Sequence, residues 1–418
     1  MRYRSAVLAL LLAALFAHPA PCAPLSPLHT QGSLIVDGSG KTVTLRGVNL
    51  GGWLVEEPWM QPFVTKPPDG SPYPQIKDHV SLWQTVEKRL GPAAKDRVRA
   101  AFRSAWIDES DFDRIKADGF NCVRLPFLSS LLDEPGGYGW LDRAVSWAGA
   151  RGIYVILDLH GAPGGQSDQG HTGQAGVNRF FKDPDNIKRT AEIWSRLAKR
   201  FRGNSAVAGY DLLNEPTGAP NSDTLYLVQD RLYRAVRAED RDHIVIIEDG
   251  YTGLKWMPYP ALCDWTNVVL SGHHYNFNAK TDEDQMKGID SMVADVISQR
   301  DKRRTPFYIG EFGLEPHGTI DALKRLVTSF QDNSLSWSLW TYKVMWARGG
   351  QSQWSLYSST KPIDALDPYA DSEADLIKKC GQARTANLDE YTDMTQVFKD
   401  AASTPPVPAV AAATAAPN

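Results

Sequence analysis

The residues from Val207 to Pro216, VAGYDLLNEP, place a carboxyl group where a strand is expected to end. In this run positions 208, 210 and 212 alternate with positions 209, 211 and 213, which is the two-residue period of a strand. Pro216 has no amide hydrogen to donate to a sheet, so we expect the strand to stop there. Glu215 would then lie at the strand tip beside Asn214, a position that α/β enzymes often use for a reactive carboxyl group.

A second glutamate follows the same pattern closer to the end of the chain. Residues 306–311, PFYIGE, form a short apolar run that ends in Glu311. Two carboxyl groups that face one another suit the hydrolysis of a glycosidic bond, because one protonates the leaving oxygen while the other attacks the anomeric carbon or activates water. Their separation cannot be read from the sequence, so retention and inversion both remain open at this point. Other carboxylates near strand ends compete with this pair: Asp158, Glu248, Asp249, Glu315, Glu56 and Glu57.

Short apolar segments and helical patterns alternate along the chain. The predicted strands are 43–49, 121–127, 154–160, 207–213, 244–249, 267–275, 306–311 and 335–342. The predicted helices are 79–106 with a break at Gly91-Pro92, 110–117, 140–150, 186–202, 224–238, 284–299, 320–330 and 372–379. Alternating strands and helices favour a parallel sheet, and eight such units predict a closed (β/α)8 TIM barrel. We expect one domain over residues 30–395, preceded by a small hairpin of 32–37 and 42–45 around the turn Asp37–Gly40.

Polar or aromatic residues recur near the carboxyl ends of seven of the eight predicted strands. On a barrel these ends meet at one mouth, although the residues lie far apart in the chain. Each residue alone has an ordinary structural explanation, but their repetition at one position on successive strands favours a shared site. The residues are Asn49, Arg124, His160, Asn214 with Glu215, His273 with Tyr275, Glu311, and Trp340.

Composition and motifs exclude several other classes of function. The net charge of −4 gives no electrostatic reason to expect binding to nucleic acid or to an anionic membrane, and we expect a monomer. His160, His273 and His274 raise the alternative of a metal site, but no HExxH spacing occurs and adjacent strand residues face opposite ways. The glycine-rich run 160–165 lacks the lysine of a phosphate loop, and no GxSxG elbow is present.

The two ends of the chain differ from its middle. Met1 to Cys22 has a basic start and a short apolar run, which predicts a signal peptide and a secreted or periplasmic protein. No further stretch reaches the ~18 apolar residues of a membrane span. Residues 401–418 are rich in Ala and Pro and predict a disordered tail. Residues 55–73 predict a long surface loop, and the pairing of Cys263 with Cys380 stays open.

Seven motifs, one for each of seven predicted strands, together resemble glycoside hydrolase family 5, whose members are retaining glycosidases on (β/α)8 barrels. The resemblance runs from about residue 32 to about residue 391. The motifs are RGVNLGGW (46–53), VRLPF (123–127), LDLHGAPGGQ (157–166), LLNEP (212–216), GHHYNF (272–277), YIGEFG (308–313) and LWTYK (339–343).

The resemblance implies a role for each matching position. Glu215 would be the general acid/base and Glu311 the nucleophile of a double displacement that needs no cofactor. Among the substrate-binding residues, Asn214 would bond the sugar 2-hydroxyl, and Arg124 and Tyr275 would hold the Glu311 carboxylate. His160 and His273 would contact the sugar or the catalytic acids, and Trp340 would stack under the bound sugar.

The N-terminal motif is most similar to the fungal exo-β-1,3-glucanase branch of that family, which implies a β-glucan substrate, either β-1,3 or β-1,4 linked. The chain departs from that branch at IGEFG and at residues 169–173, QGHTG, so exo or endo action and linkage stay open. A transglycosylase with the same residues and a mannan-active hydrolase are the alternatives, and both glutamates argue against a barrel that only binds carbohydrate. Candidates for the outer wall of the site are Trp59, Trp256, Trp346, Trp354 and Tyr357.

Overall fold

A computed structural model describes residues 24–315, 317–350 and 352–404 of the 418-residue chain. The predicted signal peptide at 1–22 and most of the predicted tail lie outside the described residues. No helix in the described part of the chain is long and apolar enough to cross a bilayer. Cys122, Cys263 and Cys380 are all free thiols, so the open pairing of Cys263 with Cys380 is not formed.

Eight strands close into a parallel barrel, which confirms the predicted fold. The strands of the described residues are β1 Leu28–Gln31, β2 Leu34–Asp37, β3 Arg46–Asn49, β4 Cys122–Leu128, β5 Tyr154–Gly161, β6 Val207–Asp211, β7 Ile244–Glu248, β8 Val268–His274, β9 Phe307–Phe312, β10 Ser336–Leu339, β11 Tyr357–Ser358 and β12 Asp389–Glu390. Strands β3 to β10 are hydrogen-bonded in chain order, and β10 closes the ring on β3. β6 ends at Asp211, so Pro216 lies beyond the strand end rather than at it.

Helices surround the barrel and pack on its outer face. Those of the described residues are α1 His79–Leu90, α2 Pro92–Trp106, α3 Glu109–Ala117, α4 Tyr138–Ala150, α5 Pro184–Phe201, α6 Ser222–Glu239, α7 Asp282–Arg303, α8 Ile320–Asp332, α9 Glu373–Cys380 and α10 Thr392–Ser403. Side-chain caps set the starts of seven of these ten helices: Asp78, for example, accepts a hydrogen bond from the Ser81 amide at 2.7 Å at the start of α1. On α5, Ile193, Trp194 and Leu197 form the buried stripe that the helical period predicts.

The N-terminal hairpin is present, but its strands differ from the prediction. β1 pairs with β2 around Gly32, whereas residues 42–45 contribute only a single bridge, from Thr42 to Val36. Gly32 has a φ of 59°, which allows the tight turn. Leu28 and Ile35 of the hairpin join the apolar cluster inside the barrel. The hairpin therefore covers the floor of the barrel, opposite the mouth.

A C-terminal helix that the sequence analysis did not predict seals the outside of the barrel. Phe398 of α10 packs against Phe120 and Trp337, with ring centroids 5.0 and 5.6 Å apart. Ala401 is buried, and its carbonyl accepts a hydrogen bond from the Gln331 side chain at 2.5 Å. Residues 401–403, assigned to the tail, thus complete this helix.

The segment that follows β3 is buried over its first half, so the prediction of a surface loop for 55–73 is wrong there. Met60 and Gln61 are buried. Glu56 is fully buried between His79 of α1, which it hydrogen-bonds, and Arg103 of α2, whose Nε lies 3.5 Å away. Burial raises the pKa of Glu56, but these two partners outweigh it and lower the pKa to about 2. Glu56 is therefore an ionised anchor to the helices.

Glu57, the next residue, has the opposite environment. Its carboxyl group is buried on the barrel side and accepts one hydrogen bond, from Trp59 Nε1 at 2.9 Å. Burial is the main cause that raises its pKa from 4.5 to about 8; the charges of Glu311 and Glu215 add to this, against the Trp59 hydrogen bond. At neutral pH Glu57 is therefore a protonated acid.

This contrast predicts opposite pH effects for Glu57→Gln and Glu56→Gln. Because the folded pKa of Glu57 is raised, its contribution to stability is full below pH 4.5 and is lost as the pH rises through about 8. Relative to the wild type, Glu57→Gln should gain up to ~5 kcal/mol in free energy of unfolding across that interval, at roughly 1.4 kcal/mol per pH unit. Thermal unfolding midpoints measured from about pH 4 to pH 9 check this.

Glu56→Gln is the matched control. The folded pKa of Glu56 is lowered to about 2, so its contribution to stability is present above pH 4.5 and is lost as the pH falls toward 2. This variant should be less stable than the wild type at neutral pH, with the difference shrinking in acid. Parallel curves for Glu57→Gln and the wild type between pH 4.5 and 8 would mean that Glu57 is ionised in the folded protein.

Candidate active site

The carboxyl ends of the barrel strands bring most of the predicted site residues into one hydrogen-bonded group. Arg124 of β4 contacts Asn214 and Glu311, and His273 of β8 contacts Glu215. Tyr275, just after β8, joins through Glu311. His160 and Trp340 lie stacked, with ring centroids 5.5 Å apart and an interplanar angle of 9°. The expected meeting of distant strand ends at one mouth therefore occurs.

Arg124 is the hub of this group. Its guanidinium is fully buried, and each of its five N–H donors has an acceptor. The acceptors, with donor–acceptor distances, are Asp211 at 2.9 Å, Asn49 at 3.1 Å, Glu311 at 2.8 Å, Asn214 at 2.8 Å and Glu248 at 3.1 Å. Burial disfavours its charge, but Asp158, Asp211 and the other carboxylates hold the pKa of Arg124 well above its usual value.

Glu311 ends β9 with both carboxylate oxygens engaged. Oε1 accepts from Arg124 Nη1 at 2.8 Å, and Oε2 accepts from the Tyr275 hydroxyl at 2.7 Å. His273 Nδ1 lies 3.6 Å from Oε2. The side chain is 6% exposed, so one edge of this carboxylate faces the mouth. A charge-compensated carboxylate held from two sides has little freedom to rotate, which suits an attacking group.

The loop after β6 turns Glu215 toward Glu311. Its backbone has a φ of 39°, and its amide donates to Glu248 Oε2 at 2.7 Å. The side-chain Oε1 accepts from the Tyr251 hydroxyl at 2.7 Å and from His273 Nδ1 at 2.8 Å. Burial opposes ionisation of Glu215, but the hydrogen bonds from His273 and Tyr251 and the His273 charge outweigh it and lower its pKa.

His273 lies among three carboxylates. Its Nδ1 faces Glu215 and Glu311, and its Nε2 lies 3.3 Å from Glu248 Oε1. Burial opposes protonation, yet the charges of Glu248 and Glu311 and the hydrogen bond to Glu215 hold the pKa of His273 well above its usual value. Gly310 permits this packing, because a Cβ there would lie 2.8 Å from His273 Nε2. The pKa shifts of His273 and Glu215 are opposite in direction, as expected for two interacting groups joined by a hydrogen bond.

Three supporting residues were not recognised as such from the sequence. Glu248 holds both Arg124 and the Glu215 amide. Gln166 is fully buried and donates to the carbonyls of His160 and Asn214, each at 2.8 Å, so it joins the ends of β5 and β6. Tyr251, whose hydroxyl donates to Glu215, lies in none of the recognised motifs. Glu248 had been named from the sequence as a carboxylate near a strand end and Gln166 stood within a recognised motif, so both had a sequence signal.

Two buried aspartates below the mouth have raised pKa values. Asp158 and Asp211 are paired in register on β5 and β6, and both face Arg124. Burial, together with the Glu248 charge and against Arg124, raises the pKa of Asp211 to about 7. Burial also raises the pKa of Asp158 well above its usual value, against Arg124. A single guanidinium therefore does not hold all its carboxylate neighbours ionised.

The aromatic residues of the mouth form two groups. Trp340 stacks on His160, whose edge meets His171 at a centroid distance of 5.6 Å. Phe277 and Trp354 pack against Tyr275, and Trp59 meets Trp354 edge-on at 5.6 Å. Of the other wall candidates, Trp346 donates to the Trp59 carbonyl, Tyr357 is buried on Asp118 and is not part of a wall, and Trp256 contacts Lys255.

The three histidines considered from the sequence as metal ligands do not share one cluster in the described residues. His274 points away from His273, and its buried Nε2 has no partner. Among the described residues, Glu215, His273 and Glu311 offer ligand atoms within 4.8 Å of one another. Arg124 and the protonated His273 already supply positive charge to these carboxylates, which weakens the attraction for a cation.

Known proteins resemble this chain in sequence and in fold. The sequence model of the cellulase family (glycosyl hydrolase family 5) matches residues 93–345. A beta-xylosidase of Phanerodontia chrysosporium is 29% identical in an alignment of 355 residues that covers 77% of this chain and 72% of the relative. A probable glucan 1,3-beta-glucosidase A of Aspergillus clavatus is 35% identical in an alignment of 245 residues that covers 56% of this chain and 55% of the relative. The chain thus spans about half the length of that glucosidase.

Two solved structures share the fold. A rutinosidase from Aspergillus niger superposes with a TM-score of 0.59 at 19% identity, covering 81% of this chain and 98% of that one. A beta-glucanase from Saccharophagus degradans, solved with cellotetraose, superposes with a TM-score of 0.54 at 18% identity. The superposition covers 93% of this chain and 99% of that one. Since the family model matches more than half of the chain, the chain belongs to glycosyl hydrolase family 5, the cellulase family.

Proposed function

We propose that the protein is a retaining β-glycosidase that hydrolyses a β-glucan, with Glu311 as nucleophile and Glu215 as acid/base. The proposal rests mainly on one distance: a carboxylate oxygen of Glu215 lies within 4.8 Å of one of Glu311. Retaining enzymes hold their carboxyl groups ~5–5.5 Å apart, whereas inverting enzymes need ~6.5–9.5 Å so that a water fits. The short separation supports direct attack by a carboxylate.

In the first step Glu311 attacks the anomeric carbon while the leaving oxygen takes a proton from Glu215. The two glutamates suit different tasks because their contacts differ. Arg124 and Tyr275 hold the two oxygens of Glu311 with a charge and a hydroxyl donor, whereas Glu215 accepts from His273 at Oε1 and keeps Oε2 to deliver the proton. A covalent glycosyl ester on Glu311 results, and the leaving sugar departs as a neutral alcohol.

In the second step Glu215 must act as a base. The loss of negative charge at Glu311 on glycosylation produces this change of role. In the free enzyme the negative charges of Glu311 and Glu248 favour a proton on the His273–Glu215 pair. Glycosylation removes the charge of Glu311, so the pair holds its next proton less tightly. Glu215 then takes a proton from water, which attacks the ester and releases the sugar with retained configuration.

Substrate contacts follow from groups that still lack partners. Asn214 Nδ2 is buried without an acceptor, although Oδ1 is held by Arg124. We assign this donor to the 2-hydroxyl of the sugar at the cleavage point. Trp340, which is 5% exposed and stacks on the buried His160, is the candidate platform for the sugar ring. The names of the glucosidase and beta-glucanase relatives support glucan as the substrate class, and linkage is left to experiment.

Transglycosylation with the same residues is the second candidate. Phe277 is 61% exposed and stacks on Tyr275, the residue that holds Glu311. An exposed aromatic face beside the nucleophile can bind an acceptor sugar in place of water. We also propose export from the cytoplasm, supported by the signal-peptide pattern of Met1–Cys22.

Product analysis tests the reaction class. The wild type is incubated with laminarin, carboxymethylcellulose, mixed-linkage glucan and mannan, and products are sized over time. Glu311→Gln should lower kcat/KM on the order of 10⁴-fold or more, because the nucleophile's charge is lost with little change in volume. Glu283→Gln, at an exposed ion pair with Lys287, is the matched control and should keep wild-type rates.

Each product pattern has a distinct meaning. Glucose alone from the start would indicate exo action, and a ladder from one polymer would indicate endo action and name the linkage. Products longer than the starting oligosaccharide would favour transglycosylation. Wild-type turnover by Glu311→Gln, or no product from any β-linked glycan, would contradict the proposal.

Glu215→Ala tests the acid/base. Turnover of the glucan should fall ~10²–10⁴-fold, because the leaving oxygen is no longer protonated. Azide should restore turnover of an activated aryl glycoside, since a small anion needs no base to attack the glycosyl ester. The glycosyl azide should have the β configuration, determined by NMR. In Glu311→Ala azide would instead replace the nucleophile and give the α anomer, so an α azide from Glu215→Ala would reverse the two assignments.

His273→Asn tests whether His273 controls the proton affinity of Glu215. Asparagine keeps a donor toward Glu215 but cannot carry the proton. Because the pKa of His273 is raised by its carboxylate neighbours, the basic limb of the wild-type kcat/KM profile should lie above pH 6.5, and it should move at least about one pH unit lower in the variant. An unchanged basic limb would show that His273 does not share the catalytic proton.

A further inference from the structure

The two carboxylate oxygens of Glu215 have different surroundings. Oε1 is saturated by the Tyr251 hydroxyl and His273 Nδ1. Oε2 faces another group, His171, whose Nε2 lies 3.5 Å away. If Glu215 is the acid, Oε2 is the oxygen free to hand its proton to the leaving group. His171 is therefore next to the atom at which the negative charge of Glu215 appears.

His171 belongs to the stretch QGHTG at 169–173, which matched nothing in the resemblance drawn from the sequence. The turn that carries it is held firmly. Thr172 Oγ1 donates to the Gln169 carbonyl at 2.8 Å, and the Gly173 carbonyl accepts from Val80 of α1 at 3.0 Å. A side chain on a turn fixed in this way can hold a defined position.

The imidazole of His171 is positioned from two further sides. Its ring meets His160 edge-on at 5.6 Å, and Ser167 Oγ lies 3.5 Å from Nε2. The side chain is 18% exposed, so it also reaches the mouth. His171 therefore lies between the His160–Trp340 stack and Glu215.

We propose that His171 is a positioning residue for leaving-group protonation, acting through Glu215 Oε2. This inference rests on the proposed role of Glu215. In the first step the O–H bond of Glu215 breaks, the glycosidic oxygen gains the proton together with the electron pair of the C1–O bond, and Glu311 bonds to C1. The Nε2–H of His171 donates to Oε2 and is strengthened as that oxygen becomes negative, so it stabilises the transition state more than the ground state.

The chemistry predicts which substrates depend on His171. A sugar leaving group must be protonated as it departs, whereas a dinitrophenolate leaves without a proton. A long hydrogen bond in a free enzyme commonly shortens in the complex, so 3.5 Å is compatible with this role. His171 therefore contributes to cleavage between sugars and not to the formation of the glycosyl ester from an activated aryl glycoside.

The test compares two substrates of one enzyme. kcat/KM is measured on 2,4-dinitrophenyl β-D-glucoside and on laminaritetraose or cellotetraose, whichever the wild type cleaves. His171→Ala should lose ~10–100-fold on the tetrasaccharide, the range for a hydrogen bond to a charged group, and less than about 2-fold on the aryl glycoside. His171→Gln, whose amide can reach Oε2, should recover most of the loss. His171→Asn, which is too short, should not.

Equal losses on both substrates would indicate a merely structural role for His171 and would overturn the inference, as would no loss on the tetrasaccharide. The thermal unfolding midpoint shows whether His171→Ala folds. If it does not fold, the activities of His171→Gln and His171→Asn are compared instead, and equal activities would overturn the inference. Failure of the proposed function is distinguishable: there Glu215→Ala would show no azide rescue, or the wild type would cleave neither substrate.

Discussion

The mouth of this barrel depends on the hydrogen bonds of one buried guanidinium. Arg124 uses all five donors on groups from β3, β6, β7, β9 and the loop after β6, so its side chain joins strands on every side of the mouth. Asn49 extends the same network to the carbonyls of Gly310 and Leu339 across the closure of the barrel. Removing one partner of such a buried ion pair costs roughly 3–5 kcal/mol, because the other charge is left unpaired. Fold closure and the placement of Glu311 are therefore consequences of the same interaction.

One cation surrounded by several acids also determines which carboxyl groups are ionised. Glu311 receives a direct contact from Arg124 and a hydroxyl from Tyr275, whereas Asp158 and Asp211 compete with each other for what remains. Burial raises the pKa values of both aspartates, and the charge of Asp211 adds to this for Asp158 while the charge of Glu248 adds to it for Asp211. Burial likewise raises the pKa of Glu57, and the charges of Glu311 and Glu215 add to this. The raised pKa values of these three acids thus limit the negative charge that the single guanidinium of Arg124 must balance.

The barrel was predictable because each strand is a short apolar run with a polar end, and this pattern depends only on local sequence. Helix α10 was missed because Phe398 finds its place by packing against Phe120 and Trp337, which no local pattern reveals. The burial of residues 55–63 was missed for a related reason: proline and charge there suggest a loop, but Glu56 is buried only because His79 and Arg103 lie opposite it. Strand-end motifs located the candidate site residues, whereas Tyr251 and His171 reach Glu215 through the course of loops.

Glu311 and Glu215 have the same side chain but different surroundings. Glu311 ends a strand and is held by groups of the barrel wall, so its position is as rigid as the sheet. Glu215 lies beyond the end of β6 in a strained, left-handed backbone, and its contacts come from β8 and from two loops. The proposed nucleophile needs a fixed position, while the proposed acid/base must change its proton affinity as its neighbours change charge. A rigid carboxylate on the wall and a loop carboxylate coupled to histidines meet these two requirements, and His273, which contacts both, links the charge of one to the proton of the other.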